Sequence, residues 1–321
     1  MTDSILQPTI SASTALATPS RAKPLPTDRV RRLLWKMAIA TWILMAIGSA
    51  TRVMNAGLAC PDWPLCYGTL FPSQQMNLQV FLEWFHRLDA ALIGVMAIAL
   101  VVYSLWQRAA LPKWVPWGAM LALGLIMAQG LLGALTVTQL LRFDIVTAHL
   151  GTALLFFITL LVMASLLLPY QRTGTVGNWP QVSLVAALLI YTQSITGALV
   201  GSRWALHQCL AGGNTFCTVL QSHVLGVIPA SLGTLILVIG VWRTPALQAS
   251  LRQLGFMALA LLCIQVGLGL STFYAHLQIE LLTVAHQAVG AALLGTLVCF
   301  TVLGSRDRCL PSISLGDRVG A

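Results

Sequence analysis

The sequence predicts an all-α integral membrane protein, and two observations support this. Hydrophobic residues make up 57% of the 321 residues and charged residues only 8%, whereas a soluble domain carries roughly 25% charged residues. The apolar residues also form continuous stretches long enough to cross the hydrocarbon layer, which takes about 20 residues per helix. A transmembrane barrel would show shorter segments of alternating polarity, so helices are predicted.

Eight such stretches follow one another along the chain and define eight predicted transmembrane helices. They are residues 33–53, 84–106, 114–136, 145–168, 181–201, 219–242, 253–272 and 281–304. Residues 1–32 are expected to be a disordered cytoplasmic tail because they are rich in Ser, Thr, Ala and Pro. Residues 306–321 are expected to be a second cytoplasmic tail.

The net charge of +9 is explained by membrane topology. Of the 18 Lys and Arg residues, all but Arg52, Arg87, Arg142 and Arg203 fall in the tails, at the opening of predicted helix 1 or in the connections after predicted helices 2, 4 and 6. The positive-inside rule then places both termini in the cytoplasm or an equivalent matrix compartment. The expected surroundings are therefore membrane lipid, and nucleic acid is not an expected partner.

Three matches at nearly one spacing indicate a duplicated four-helix unit. His86 and His223 are 137 residues apart, and so are His149 and His286. The run AQGLLGALT from Ala128 is matched 136 residues later by IQVGLGLST. An even number of helices per unit makes the units parallel. We therefore predict two pseudo-symmetric four-helix bundles, residues 33–170 and 171–305.

The four repeated histidines are the principal candidates for chemistry. Each lies near the outward end of an even-numbered span, and ionisable groups inside membrane spans are usually functional. Facing helices of a bundle can present two imidazoles to one haem iron. The pattern predicts two haem sites, His86 with His149 and His223 with His286. The main alternative is that these histidines bind copper or another metal ion instead of haem.

One acidic residue makes the two sites unequal. Glu83 precedes His86 in EWFHR, whereas Leu220 takes its place in LQSHV. Positions three apart share a helix face, so Glu83 is predicted to be catalytic, as a proton acceptor or charge stabiliser. The alternative is a solvated charge at a helix start. The asymmetry predicts one site for electron transfer and one for substrate chemistry.

The outward loops of both units carry cysteine pairs, Cys60 with Cys66 and Cys209 with Cys217. Their side of the membrane is expected to be oxidising, so two disulfides are favoured over free or metal-binding thiols.

Three arginines lie near span ends on the same side, Arg52, Arg87 and Arg203. They are either contacts for haem propionates, whose carboxylates match the guanidinium fork, or ordinary interface anchors.

A family resemblance rests on these motifs. The run TRVMNAGLACPDWPLCYG from Thr51, EWFHR, AHLG around His149, SHVLG around His223 and AHQAVG around His286 resemble the haem A synthases of respiratory membranes. The resemblance covers roughly residues 33–305. It implies oxidation of the C8 methyl of haem O to the formyl group of haem A, which cytochrome c oxidase uses. It also implies eight transmembrane helices in two similar halves.

The resemblance also implies roles for the individual residues. His223 and His286 would hold a haem b cofactor, and His86 and His149 would receive haem O. Glu83 matches the essential glutamate of the family. Cys60 and Cys66 match the loop cysteines of its cysteine-bearing branch, and Cys209 and Cys217 would form the structural disulfide of the other half.

The resemblance gives the expected location and partners as well. The location is the bacterial inner membrane, with the mitochondrial inner membrane less favoured. Haem O synthase, cytochrome c oxidase assembly factors and a second copy of the chain are candidate partners.

Two other functions fit parts of the pattern. A dihaem b-type quinol oxidoreductase would have the same four histidines without modifying haem, and a transporter can also be built from parallel repeats. The prenyltransferase that makes haem O is excluded because the sequence lacks its aspartate-rich motifs.

Overall fold

The computed structural model describes residues 25–201, 214–276 and 278–308, and these residues form eight long helices. The helices are α1 (Pro26–Val53), α2 (Leu78–Trp106), α3 (Trp114–Thr138), α4 (Phe143–Leu166), α5 (Trp179–Val200), α6 (Asn214–Trp242), α7 (Ala249–Tyr274) and α8 (Glu280–Arg308). All eight contain stretches long and apolar enough to cross a membrane. The predicted all-α architecture of eight apolar helices is therefore confirmed.

Several helices extend beyond the predicted spans, because apolar runs mark only the part of a helix inside the hydrocarbon. Helix α1 begins at Pro26 rather than at 33, so residues 26–32 are helical although the sequence assigned them to the tail. An ion pair of 2.8 Å between Asp28 and Arg31 lies in this first segment. Helix α8 continues to Arg308, and α4 and α5 end slightly earlier than predicted.

Helix α2 begins at Leu78, well before the predicted start at 84. The side chain of Asn77 caps it by accepting a hydrogen bond of 2.9 Å from the backbone N–H of Val80. An Asn at this position satisfies one of the free N–H groups that every helix start presents. The longer helix places Glu83 and His86 inside α2 rather than at its first residues.

The helices pack as two rings that share a boundary. Within the first four, contacts run between α1 and α2, α2 and α3, α3 and α4, and α4 and α1, and α5–α8 repeat this order. Between the rings, α1 and α4 contact α8, and α4 contacts α5. The hydrogen bonds that cross this boundary include those from Trp42 Nε1 to the carbonyl of Ala288 (2.8 Å) and from Gln287 Nε2 to that of Met45 (3.3 Å). Such interhelical bonds and close packing hold helices together in lipid, where hydrophobic burial gives no advantage.

The two ends of the bundle differ, and we call them the loop side and the tail side. The loop side is the end at which α2, α4, α6 and α8 begin. At the tail side, the carboxylate of Asp307 is fully buried and accepts backbone hydrogen bonds from Thr173 (2.7 Å), Thr175 (3.1 Å) and Val176 (3.3 Å). The end of α8 thereby fixes the connection between α4 and α5.

Candidate functional site

All four predicted histidines lie on the loop side, within the first three turns of even-numbered helices. Each imidazole packs over a glycine of the helix before it. Glycine has no Cβ and so allows a ring to approach the backbone closely. A methyl group on the glycine would lie 2.8 Å from Cε1 of the imidazole for Gly48 and His86, 3.5 Å for Gly133 and His149, 2.9 Å for Gly197 and His223, and 3.0 Å for Gly269 and His286. The same local arrangement therefore occurs four times.

A glutamine supports three of these four arrangements. Gln129, Gln193 and Gln265 each lie one turn before the glycine of their own helix. The side-chain amide of Gln129 donates to the carbonyl of His149 (2.6 Å), and that of Gln193 donates to the carbonyl of His223. The amide of Gln265 lies 3.3 Å from Nε2 of His286.

The histidines of the second ring face each other. The ring centroids of His223 and His286 are 6.4 Å apart, with an angle of 83° between the ring planes. Two imidazoles bound to one metal at about 2 Å each place their centroids roughly 6 Å apart, so this pair fits axial ligation of a haem iron. The hydroxyl of Thr196 lies 3.1 Å from Nδ1 of His223 and fixes that ring.

The histidines of the first ring have unpaired nitrogens. Nδ1 of His86, Nδ1 of His149 and Nδ1 of His286 are buried and have no hydrogen-bond partner among the residues that the structure describes. Buried polar atoms nearly always have a partner. Orphaned imidazole nitrogens at three of four repeated positions are what a ligand-binding site would show, so the residues present fit a bound macrocycle in both rings.

Glu83 is buried, with 6% of its surface exposed. It lies in the second turn of α2 and pairs with Arg87, whose Nε donates to Glu83 Oε1 at 2.9 Å. The interpretation of Glu83 as a solvated charge at a helix start is therefore wrong, because Asn77 starts the helix a turn and a half earlier and the carboxylate is enclosed. The repeat-related positions in the second ring carry Leu220 and Val224.

The loop after α1 is closed by the disulfide that the sequence predicts. Cys60 and Cys66 are bonded, with their Cα atoms 4.7 Å apart. The second predicted pair is not described: Cys209 lies outside the described residues, and so does the side chain of Cys217 in α6.

Asp62 organises the same loop from inside the disulfide ring. Its carboxylate accepts backbone hydrogen bonds from Tyr67 (2.6 Å) and Gly68 (2.8 Å). Hydrogen bonding to the ionised form favours that form, so the backbone N–H of Gly68 and that of Tyr67, with the nearby charge of Arg87, lower the pKa of Asp62.

The three arginines that were candidates for propionate contacts differ in what the structure shows of them. Arg87 donates to Glu83 and to three carbonyls of the disulfide loop. The guanidinium of Arg52 lies against Gly201 at the end of α5, where a methyl group would be 2.6 Å from its terminal nitrogen. Nε of Arg52 is buried and has no hydrogen-bond partner within the described part of the chain. Arg203 lies outside the described residues.

Sequence reasoning missed the four glycines and the glutamines that accompany them. A signal was present, because Gln followed four residues later by Gly recurs in α3, α5 and α7. Helix α1 has Leu44 instead of Gln before Gly48, so the pattern is incomplete in one of four helices. Small residues are common in membrane helices, so only the structure shows that these glycines lie under the imidazoles.

Comparison with known proteins gives consistent results. Residues 31–298 match the family model of the cytochrome oxidase assembly proteins (COX15-CtaA). The chain is 27% identical to a haem A synthase of Shewanella oneidensis, over 83% of this chain and 95% of that protein. It is 25% identical to haem A synthases of Bacillus licheniformis (84% and 94% covered) and of a Caulobacter species (86% and 97% covered).

Proposed function

Because the chain belongs to the COX15-CtaA family of cytochrome oxidase assembly proteins, we propose that it is a haem A synthase, a membrane oxidoreductase. The reaction oxidises the C8 methyl group of haem O to the formyl group of haem A. The proposal is supported most by one observation: two closely similar histidine pairs, of which only one has a buried carboxylate on the same helix face.

His223 and His286 would hold haem b, which supplies an electron relay when bound. The centroid separation of 6.4 Å supports both rings as the residues that would hold its iron. Thr196 and Gln193 fix His223, and Gln265 lies beside His286. A permanently bound cofactor benefits from such fixed ligands, because less ordering is needed on binding.

His86 and His149 would receive haem O as substrate. Gly48 and Gly133 position these rings as Gly197 and Gly269 position the other pair. Arg52, whose buried Nε has no partner, would neutralise a haem propionate, and Arg203 would do the same at the other half. Guanidinium groups bind carboxylates in a bidentate fork.

Glu83 would act on the substrate directly. Its Oε1 accepts from Arg87, whereas Oε2 receives no hydrogen bond from the residues that the structure describes. Oxidation of a methyl group to an aldehyde, through two hydroxylations and a dehydration, removes hydrogen from the carbon as protons and electrons, and a bound haem b would relay those electrons away from the substrate. Glu83 would take up a proton or stabilise the positive charge that forms on the macrocycle.

The location we propose is the bacterial inner membrane, with both termini in the cytoplasm and the loop side facing the periplasm. The basic residues of the tail side support this orientation, and the Cys60–Cys66 disulfide supports an oxidising compartment at the loop side. The disulfide also agrees with the cysteine-bearing branch of the family.

The test is to express the chain with a haem O source and to identify the extracted haems by mass. We expect haem A and haem b from the unchanged chain. We expect haem O or a partly oxidised haem, with haem b retained, from Glu83→Gln. Glu280→Gln is the matched control, because Glu280 is an exposed carboxylate at the start of α8 and should leave haem A formation unchanged.

The other outcomes are equally clear. Only haem b in the unchanged chain would contradict the synthase and favour the dihaem quinol oxidoreductase. A colourless protein would favour the transporter. Full haem A formation by Glu83→Gln would remove the catalytic role of that residue.

A further inference from the structure

Arg87 donates four hydrogen bonds at the loop side, more than any other side chain there that the structure describes. Its Nε donates to Glu83 Oε1 (2.9 Å), and one terminal nitrogen donates to the carbonyls of Asp62 and Leu65, both at 2.6 Å. The other terminal nitrogen donates to the carbonyl of Cys60 (3.2 Å). These bonds take four of the five N–H groups that an arginine has, and all the loop acceptors lie between Cys60 and Cys66.

The pair is enclosed. The side chain of Arg87 is 13% exposed and that of Glu83 is 8% exposed. An enclosed guanidinium with fixed acceptors on several sides holds one geometry, because moving it leaves buried polar groups unpaired. Arg87 therefore transmits the position of the disulfide loop to the carboxylate of Glu83.

The pair is also confined to one ring. At the repeat spacing of 137 residues, Leu220 replaces Glu83 and Val224 replaces Arg87, although the histidine and its glycine are retained. If Arg87 served only to hold a helix end or to bind a propionate, the second ring would need it equally. Arg87 and Glu83 are both present in the first ring and both replaced in the second. This links Arg87 to the chemical step that we propose for the first ring.

Arg87 has only one N–H group left for the propionate contact that the sequence suggested. Bidentate recognition of a carboxylate needs two parallel N–H donors, and the bonds to Glu83 and to the loop leave too few. Arg52, with its unpartnered Nε, is better placed for that task.

We propose that Arg87 is a positioning residue for Glu83: anchored to the carbonyls of Cys60, Asp62 and Leu65, it fixes Glu83 Oε1 and so presents Oε2 to the haem O methyl group. This proposal rests on the proposed function of Glu83. It makes the Cys60–Cys66 loop part of the catalytic geometry, although no loop side chain takes part in the chemistry.

The test compares turnover with substrate occupancy. Arg87→Gln, Arg87→Lys, Glu83→Gln and the double variant Glu83→Gln/Arg87→Gln are each produced as full chains with a haem O source. Haem b, haem O and haem A per chain are measured after extraction. Arg142→Gln is the matched control, because Arg142 pairs with Asp144 at 2.6 Å on the same side of the same ring but is 59% exposed.

If Arg87 positions Glu83, Arg87→Gln keeps haem b and bound haem O and loses haem A formation by about a hundredfold, the range of a general acid or base. The double variant is then no less active than Glu83→Gln, because Arg87 acts only through that residue. Arg87→Lys recovers part of the activity, since one ammonium group can replace some of the bonds. Arg142→Gln behaves like the unchanged chain.

Three results would overturn the proposal. Loss of bound haem O in Arg87→Gln, with haem O retained in Glu83→Gln, would make Arg87 a substrate-binding residue. A double variant clearly worse than Glu83→Gln would show an independent structural role, as would loss of haem b or of the disulfide in both Arg87 variants. A failure of the proposed function is distinguishable, because the unchanged chain would then form no haem A.

Discussion

The two rings of this molecule share one histidine arrangement and differ in what surrounds it. In the second ring, uncharged polar groups contact the imidazoles of His223 and His286: the hydroxyl of Thr196 and the side-chain amide of Gln265. In the first ring, the Glu83–Arg87 ion pair flanks His86 along α2, and Arg87 is anchored to the disulfide loop. On the proposed function, the arrangement that both rings share would bind a macrocycle. The ion pair that flanks His86, and that Leu220 and Val224 replace beside His223, would distinguish the site that changes its macrocycle.

The largest effect should come from removing a histidine from one ring or from the other. His286→Ala leaves His223 without the opposite ligand, so we expect loss of haem b and, with it, of haem A formation. His86→Ala should retain haem b and reduce haem A formation by about a hundredfold or more. Reduced-minus-oxidised spectra and extracted haems measure both.

His276→Ala controls for a histidine on the loop side, because His276 is exposed at the end of α7. Equal loss of haem b in His86→Ala and His286→Ala would contradict the division of labour between the rings.

The glycines beneath the imidazoles should show the same division with a smaller effect. A Cβ at Gly197 would lie 2.9 Å from His223 Cε1, so Gly197→Ala displaces that ring and should lower haem b occupancy by about tenfold, or about 1.4 kcal/mol. Gly48→Ala, with a contact of 2.8 Å to His86, should retain haem b and lower haem A formation by a similar factor.

Two other glycines provide the comparison. Gly94 in α2 and Gly267 in α7 have open space where a Cβ would be, so alanine is expected to leave both haems unchanged there. An effect at these positions as large as that at Gly48 would mean that helix packing, rather than the imidazole, responds to the added methyl group.

Much of this comparison could be predicted from the sequence, because spacing along a helix is fixed. Apolar length gave the eight helices, and the 137-residue repeat gave the histidine pairs. Glu83, three residues before His86, was identified because the second ring has Leu220 there. Helix ends were less predictable, since Asn77 and Pro26 start helices outside the apolar runs.

The contacts of Arg87 could not be predicted in this way. Its partners are backbone carbonyls more than 20 positions away, and a carbonyl is present at every residue whatever the sequence. Only the folded loop shows which carbonyls turn toward the guanidinium. The same holds for Arg52, whose contact with Gly201 joins helices of different rings.

A carboxylate can also be introduced into the second ring at the position that corresponds to Glu83. Leu220 lies three residues before His223, on the same helix face, so Leu220→Glu places a negative charge where the first ring has Glu83. A negative charge favours the ferric state, so the midpoint potential of haem b should fall by on the order of tens of millivolts. Redox titration measures it.

Leu220→Gln is the matched control for this change, because it introduces a polar group of the same size without the charge. A potential that moves equally in both variants would point to altered solvation of the haem rather than to the charge.

The smallest effect concerns the Cys60–Cys66 loop, whose carbonyls Arg87 binds in the first ring. The pKa of Asp62 is lowered by the backbone N–H groups of Gly68 and Tyr67. A carboxyl group with a lowered pKa stabilises the folded loop above its unfolded pKa, about 3.9, and this stabilisation is lost as the pH falls through the folded value. Below about pH 4 the loop should therefore open more often, and the buried Cys60–Cys66 bond should become easier to reduce.

Asp62→Ala removes the stabilisation at every pH, so the variant should be reduced several-fold faster than the unchanged chain at pH 7. The ratio of the two rates, measured with a phosphine reductant and thiol labelling, cancels the pH dependence of the reductant itself. The ratio should approach one as the pH falls below about 4. Protonation of Asp62 then weakens its hydrogen bonds in the unchanged chain, and the variant lacks those bonds at every pH. A ratio that is constant from neutral to acid pH would mean that Asp62 does not hold the loop, and that the disulfide and Arg87 alone keep it over the first ring.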